Sequence, residues 1–188
     1  MKYYYVIHGF MGSNIENWFP YFKEKIDSEN NLCIIPQFPI SVKKHNYLEW
    51  TKIMDLYNYE YNMLNENSVL IGHSTGSIFA LKYILENKIK IDKLILVSSF
   101  NNYLDPDEND IHNVINSSYY VKESKINEIN KYVNEIICIY GDNDPYIPQK
   151  VLHEFAKSIN AKEVIIHNGG HLNKASGYTT FKEIFEYI

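Results

Sequence analysis

Val69-Leu70-Ile71-Gly72-His73-Ser74-Thr75-Gly76-Ser77-Ile78-Phe79-Ala80 runs from a short apolar stretch, through Gly-x-Ser-x-Gly, into residues that start a helix. A strand feeding a helix through so tight a turn exposes the central serine hydroxyl at the strand end, and glycines on either side keep bulk away from the neighbouring strand and helix. Alone, the pattern is also compatible with an ordinary strand-to-helix turn. What the rest of the chain supplies decides between the two.

A serine hydroxyl is a poor nucleophile at neutral pH; it needs a base, and the base needs an orienting carboxylate. In a fold of this kind the partners follow in the order Ser, Asp or Glu, His, on loops after later strands. After a strand predicted over Ile136 to Tyr140 comes Gly141-Asp142-Asn143-Asp144-Pro145, and after one over Glu163 to Ile166 comes Asn168-Gly169-Gly170-His171. Asp144 is the candidate orienter, because it lies deeper in its loop and Pro145 fixes the turn beside it; Asp142 is held in reserve. His171 is the candidate base, since two glycines let its backbone turn over the strand ends, whereas His167 continues the strand. The backbone amides of Thr75 and of Phe10, on the loop after the first strand, are the candidate oxyanion donors.

Working outward, Tyr3 to Ile7, Leu32 to Ile35, Ser68 to Ile71 and Lys93 to Val97 read as buried strands. Helices are predicted from near Ile15 to Asn17 through Ile26, over the three- and four-residue repeat from Tyr47 to Leu64, after the elbow, over about 148 to 159, and over about 173 to 187. Strands alternating with helices imply a parallel sheet of about six strands, covered on both faces in an α/β class, with ligands at the C-terminal strand ends. Residues 98 to 134 form a long, polar connection with a turn at Asp105-Pro106-Asp107 and weak helical patterning. Connections of that length often carry function.

The 188 residues fit one domain spanning 1-188, and 45% hydrophobic with 15% aromatic content supplies a sizeable core. Net charge is −5 and every basic residue is Lys, so no nucleic-acid footprint is expected, and no guanidinium clamp exists for a strongly anionic substrate. Cys33 and Cys138 lie in or beside apolar runs and read as reduced core residues. With neither a signal-like N-terminus nor a run of spanning length, the expectation is a cytoplasmic protein with no membrane association.

The remaining candidates divide between packing and chemistry. His8 and His73 flank key loops and read as braces; His45, His112 and His153 read as surface or helix-face residues. The seven histidines are not spaced as metal ligands, so neither metal nor cofactor is expected. Asp105, Asp107, Glu108 and Asp110 read as a solvated charge run, lacking the glycine and terminal glutamate of a calcium loop. The aromatic stripe from 47 to 61 reads as core, and Trp18 and Phe19 read as helix packing, with a pocket role left open by their place just after the loop that carries Phe10. Met11, Phe100, Tyr119 and Tyr146 are the candidate substrate contacts, with Tyr103 and Tyr120 as further aromatics able to lean over the site.

His8-Gly9-Phe10 with Trp18-Phe19-Pro20, the Gly72 to Gly76 elbow, Gly141 to Pro148 and Gly170-His171 together resemble the small α/β-hydrolases of the retinoblastoma-binding protein 9 family. The resemblance covers almost the whole chain. It implies a reduced α/β-hydrolase fold without a large cap domain, a triad at Ser74, Asp144 and His171, and serine-hydrolase activity on small esters or amides. The segment 98 to 134 is too short for a full cap and too polar for a lipase lid, so long-chain lipids are not the expected substrates. The competing reading is a binding protein on the same scaffold with little turnover, for which no partner protein is indicated; acyl transfer or perhydrolysis is a third.

Overall fold

The computed structural model describes residues 1–61, 64–102, 107 and 109–188. Six parallel strands, β1 (Lys2–Ile7), β2 (Asn31–Ile34), β3 (Val69–His73), β4 (Ile91–Val97), β5 (Val133–Gly141) and β6 (Lys162–Ile166), lie in the order β2-β1-β3-β4-β5-β6. The helices are α1 (Phe19–Ile26), α2 (Tyr47–Tyr61), α3 (Thr75–Asn87), α4 (Ile111–Ser117), α5 (Glu123–Ile126) and α6 (Gln149–Ser158). This is a reduced α/β-hydrolase fold.

Alternation along each strand sorts the core into two layers, because successive side chains point to opposite faces. Tyr5, Ile7, Leu70, Leu94, Leu96, Ile136 and Cys138 join Trp50 and Met54 of α2, Ile78 and Phe79 of α3 and Phe155 of α6. On the other face Tyr4, Val6, Ile71, Ile95, Val97, Ile137 and Ile139 meet Phe19, Phe22 and Ile26 of α1 and the C-terminal Phe181 and Ile184. Both cysteines are buried and free. Among the described residues no helix is long and apolar enough to cross a membrane.

Several boundaries differ from the sequence reading. The first helix begins at Phe19, because Asn17 has φ +52°, outside helical space, and Pro20 occupies the first turn, where its missing N–H is harmless. β5 starts three residues earlier than the apolar run suggests, since pairing extends down to Val133 opposite Ile91. The predicted helix over 173 to 187 is instead two short 3-10 turns, Lys174–Ser176 and Glu183–Glu186, separated where Gly177 takes φ +89°. Apolar spacing there places Phe181 and Ile184 against the sheet without a continuous helix.

The connection from 98 to 134 contains α4, α5 and a 3-10 turn over Asn127–Lys131. Its Ile115, Tyr119, Ile126 and Ile129 are buried in the core layer under α2 and α3. Of the Asp105-Pro106-Asp107 turn and the acidic run, Asp105, Pro106 and Glu108 fall outside the described residues, as does Tyr103.

Candidate active site

The turn between β3 and α3 holds Ser74 at φ +55°, ψ −124°, a backbone conformation rarely adopted by a residue with a Cβ. Such geometry persists only when its surroundings impose it. A Cβ at Gly72 would stand 2.6 Å from the Ser77 amide nitrogen, and one at Gly76 would strike the carbonyl oxygens of Ile7 and His8 at the end of β1. The Ser77 hydroxyl donates back to Gly72 O at 2.7 Å, and Ser74 N–H donates to Val97 O at 2.8 Å. Ser74 is left 9% exposed.

After β5 the chain folds into an Asx turn around Asp144, whose Oδ1 accepts from the amides of Tyr146 (2.9 Å) and Ile147 (3.1 Å). Its Oδ2 accepts from Nδ1–H of His171 at 2.7 Å, with the Asp144 side chain fully enclosed and that of His171 only 8% exposed. A carboxylate can only accept, so the contact fixes the proton on Nδ1 and leaves Nε2 as the basic nitrogen.

The loop that presents His171 is clamped from several sides. Asn143 Oδ1 accepts from Gly170 N–H at 2.7 Å, and Ser176 Oγ accepts from His171 N–H at 3.1 Å. The His171 carbonyl accepts from His73 Nε2–H at 2.9 Å and from the Ser98 hydroxyl at 3.2 Å, while Trp18 Nε1–H donates to Leu172 O at 3.1 Å. Gly170 has φ +56°, and a side chain there would press into Ser176. The His73 and His171 rings meet edge to face at 5.0 Å, which sets His171 beside the elbow. Burial first, and then the neighbouring His171, pushes His73 down to about 3, so it stays a neutral donor.

His8 also braces: Nδ1–H donates to Gly9 O at 2.9 Å and Nε2 accepts from Phe38 N–H at 3.0 Å. Burial again holds it below the usual histidine range. Asp142 and His167 form a separate pair, with His167 Nδ1–H donating to Asp142 Oδ2 at 2.8 Å and Asn168 N–H to Oδ1 at 2.8 Å. That imidazole is 84% exposed. Of these two pairs, Asp144 with His171 is the buried one and lies beside the elbow.

Thr75 opens α3, where the helix dipole favours negative charge. Within the described residues no protein acceptor takes the amide hydrogens of Phe10 or Thr75. The Phe10 ring packs on two imidazoles, His45 at 4.9 Å and His112 at 4.7 Å. His45 departs from the surface position expected of it: it is buried, parallel to Trp50 at 5.1 Å, with neither ring nitrogen hydrogen-bonded. Burial and nearby His8 push it down to about 4. His112 and His153 are exposed, as expected, each paired with a carboxylate.

The candidate substrate contacts separate into two groups. Tyr146 is well exposed with its ring 5.0 Å from that of His171, and Met11 is exposed on the loop after β1. Phe100 and Tyr119 are corrected: Phe100 is buried with Tyr140, Ile147 and Leu152, and Tyr119 is buried against Trp50 and Phe79. Tyr120 is half-buried against Phe100. Their aromatic surface supports the connection from within. Sequence reasoning also missed Ser98 and Asn116, whose side chain accepts from the Thr75 hydroxyl at 2.8 Å. The position of Ser98 just past β4 was the available signal; Asn116 had none. Among the described residues no group of three His, Cys, Asp or Glu side chains is placed to hold a metal ion.

Known proteins agree with this architecture. The putative hydrolase YdeN of Bacillus subtilis is 25% identical over 189 residues, covering 100% of this chain and 94% of its own. The rat serine hydrolase RBBP9 is 29% identical over 124 residues, which are 66% of this chain and 61% of that protein. The crystal structure of the B. subtilis ydeN product superposes with a TM-score of 0.81 at 24% identity, covering 99% of this chain and 96% of that one. A model of the family described as Serine hydrolase matches residues 4–188, and the chain belongs to that family.

Proposed function

We propose that the protein hydrolyses small carboxylic esters, and amides secondarily, through an acyl-enzyme formed on Ser74, with His171 as base and Asp144 as its orienter. The observation that carries this is the buried 2.7 Å contact from His171 Nδ1 to Asp144 Oδ2 beside a serine held at φ +55°. Ser74 Oγ attacks the ester carbonyl carbon while its proton passes to Nε2 of His171, and the imidazolium is stabilised by Asp144. The tetrahedral oxyanion takes hydrogen bonds from the amides of Phe10 and Thr75. Collapse breaks the bond to the leaving alkoxide, which receives the proton from His171. Water then repeats the sequence on the acyl-enzyme and releases the acid.

Slight exposure of Ser74 and His171 favours a small acyl group, and a chain without arginine lacks the bidentate clamp that selects a carboxylate-bearing substrate. The test compares wild type with Ser74→Ala on p-nitrophenyl acetate and butyrate and on a fluorophosphonate probe. Wild type should show turnover, a stoichiometric p-nitrophenolate burst and labelling, and Ser74→Ala should lose all three. Retention of turnover and labelling by Ser74→Ala would remove the assignment. A wild type with neither burst nor labelling would favour a binding protein on the hydrolase scaffold.

A further inference from the structure

Both residues with candidate oxyanion amides are held by one short helix far away in sequence. Thr75 donates its hydroxyl to Asn116 Oδ1 at 2.8 Å, and this pair is buried. Phe10 packs its ring on that of His112 at a centroid distance of 4.7 Å. His112 and Asn116 both belong to α4, four residues apart and therefore on one face. The start of α4 is capped, and the His112 ring is set, by Asp110, whose Oδ1 accepts from both the backbone N–H and Nδ1–H of His112, at 2.8 and 2.9 Å.

We propose that α4 is the strut of the oxyanion hole, with Asn116 and His112 acting as positioning residues that set the Thr75 and Phe10 amides. The proposal rests on the ester-hydrolase reading above. Neither side chain touches the reacting atoms; each acts through the residue that bears the amide. Oxyanion donors work only when aimed at the place where charge develops, so loosening a donor weakens the transition state more than the bound ester. Removing a donor outright lowers kcat by roughly 10²–10³-fold, and a loosened donor should fall short of that. Asn116→Ala should therefore lower kcat by roughly ten-fold, and His112→Ala by about three-fold, with KM nearly constant.

Three comparisons test this on the full chain with p-nitrophenyl acetate. Thr75→Val removes the hydroxyl and keeps the amide, so Asn116→Ala combined with Thr75→Val should be no slower than the slower single variant. His112→Phe restores a ring against Phe10 and should recover the kcat that His112→Ala loses. Affinity for phenylboronic acid, whose tetrahedral adduct mimics the oxyanion, should fall by the same factor as kcat. Wild-type kcat in Asn116→Ala and His112→Ala, multiplicative effects in the double variant, or a loss confined to KM would each overturn the proposal. If Asn116→Ala does not fold, the exposed His112 pair still decides. Should wild-type turnover not depend on Ser74, it is the parent reading that fails; Ser74-dependent turnover indifferent to α4 defeats the strut alone.

Discussion

The two sides of the candidate site are attached to the molecule by different means. On one side, backbone bonds link the ends of successive strands: Ser74 N–H to Val97 O, Ser98 N–H to Ile139 O, and Asp142 N–H to Ile166 O. Ser74, Asp144 and His171 all ride on this ladder. On the other side, among the described residues, the backbone-to-backbone bonds of 99–131 outside helices and strands reach no further than the adjacent Tyr132, whose N–H donates to Ile129 O, and side chains make the segment's longer ties outward. Those ties include Thr75 to Asn116, Lys82 Nζ to Ser118 O, Tyr47 N–H to Ser118 Oγ, and Asn130 Nδ2 to Ile159 O. The loop after β2 is held similarly, by Phe38 N–H on the His8 ring and Trp50 Nε1–H on Pro39 O. A backbone ladder fixes positions whatever the side chains are, whereas side-chain ties can be altered one at a time. Substitutions in the first half should therefore abolish function or folding, and those in the second should adjust it.

The largest expected effect lies in the ladder half. Asp144→Asn keeps an oxygen for the Tyr146 and Ile147 amides, so the Asx turn survives, but it offers an NH₂ where His171 Nδ1–H needs an acceptor. His171 is then driven to the other tautomer and Nε2 loses its basic lone pair. Ester turnover should fall by roughly 10³–10⁴-fold while the unfolding midpoint in urea changes little. Near-wild-type turnover would point instead to the exposed Asp142–His167 pair, and turnover by Asp142→Asn would then have to fall.

Gly76→Ala attacks the same half through packing alone. Its Cβ would meet the carbonyl oxygens of Ile7 and His8, which are backbone and cannot swing aside. Such overpacking costs about 1–3 kcal/mol, and here β1 or α3 must shift to relieve it. Urea unfolding should show that loss, with turnover reduced because the Phe10 loop follows directly after β1. A variant as stable as wild type would mean that this end of the ladder yields more easily than its geometry implies.

The same division explains what the sequence revealed. Gly72, Ser74 and Gly76 were legible because a strand-to-helix turn is a local backbone requirement, and the Asp144 and His171 loops because parallel topology places such loops at one sheet edge. The tie between Asn116 and Thr75 spans 41 residues and leaves no local trace. His45 read as a surface residue because nothing in Lys43-Lys44-His45-Asn46 announces that Phe10 and Trp50 will close over it. Phe100 and Tyr119 carry the same apolar surface whether they line a pocket or fill a core, and only tertiary packing separates these outcomes. The tail from 173 to 187 has helical spacing, but Gly177 at φ +89° interrupts it.

The smallest of these effects probes the side-chain half through His45. In the folded state its pKa is pushed down to about 4 by burial and by His8, against about 6.5 for a histidine in the unfolded chain. Well above pH 6.5 both states are neutral and His45 contributes no pH dependence. As the pH falls from 6.5 towards 4, the unfolded chain binds a proton that the folded one refuses, so stability is lost through that window. At pH 5 this amounts to about 1–2 kcal/mol relative to pH 7. His45→Phe preserves an aromatic ring between its neighbours and carries no proton, so urea unfolding of this variant should lose that much less stability on going from pH 7 to pH 5. Part of the acid sensitivity should remain, because burial pushes His73 down still further, so it too resists the proton that the unfolded chain takes up. Equal pH dependence in variant and wild type would mean that His45 meets water or a hydrogen-bond acceptor. The wall formed by Phe10, His45 and His112 would then be looser than the ladder opposite it by more than its ring contacts suggest.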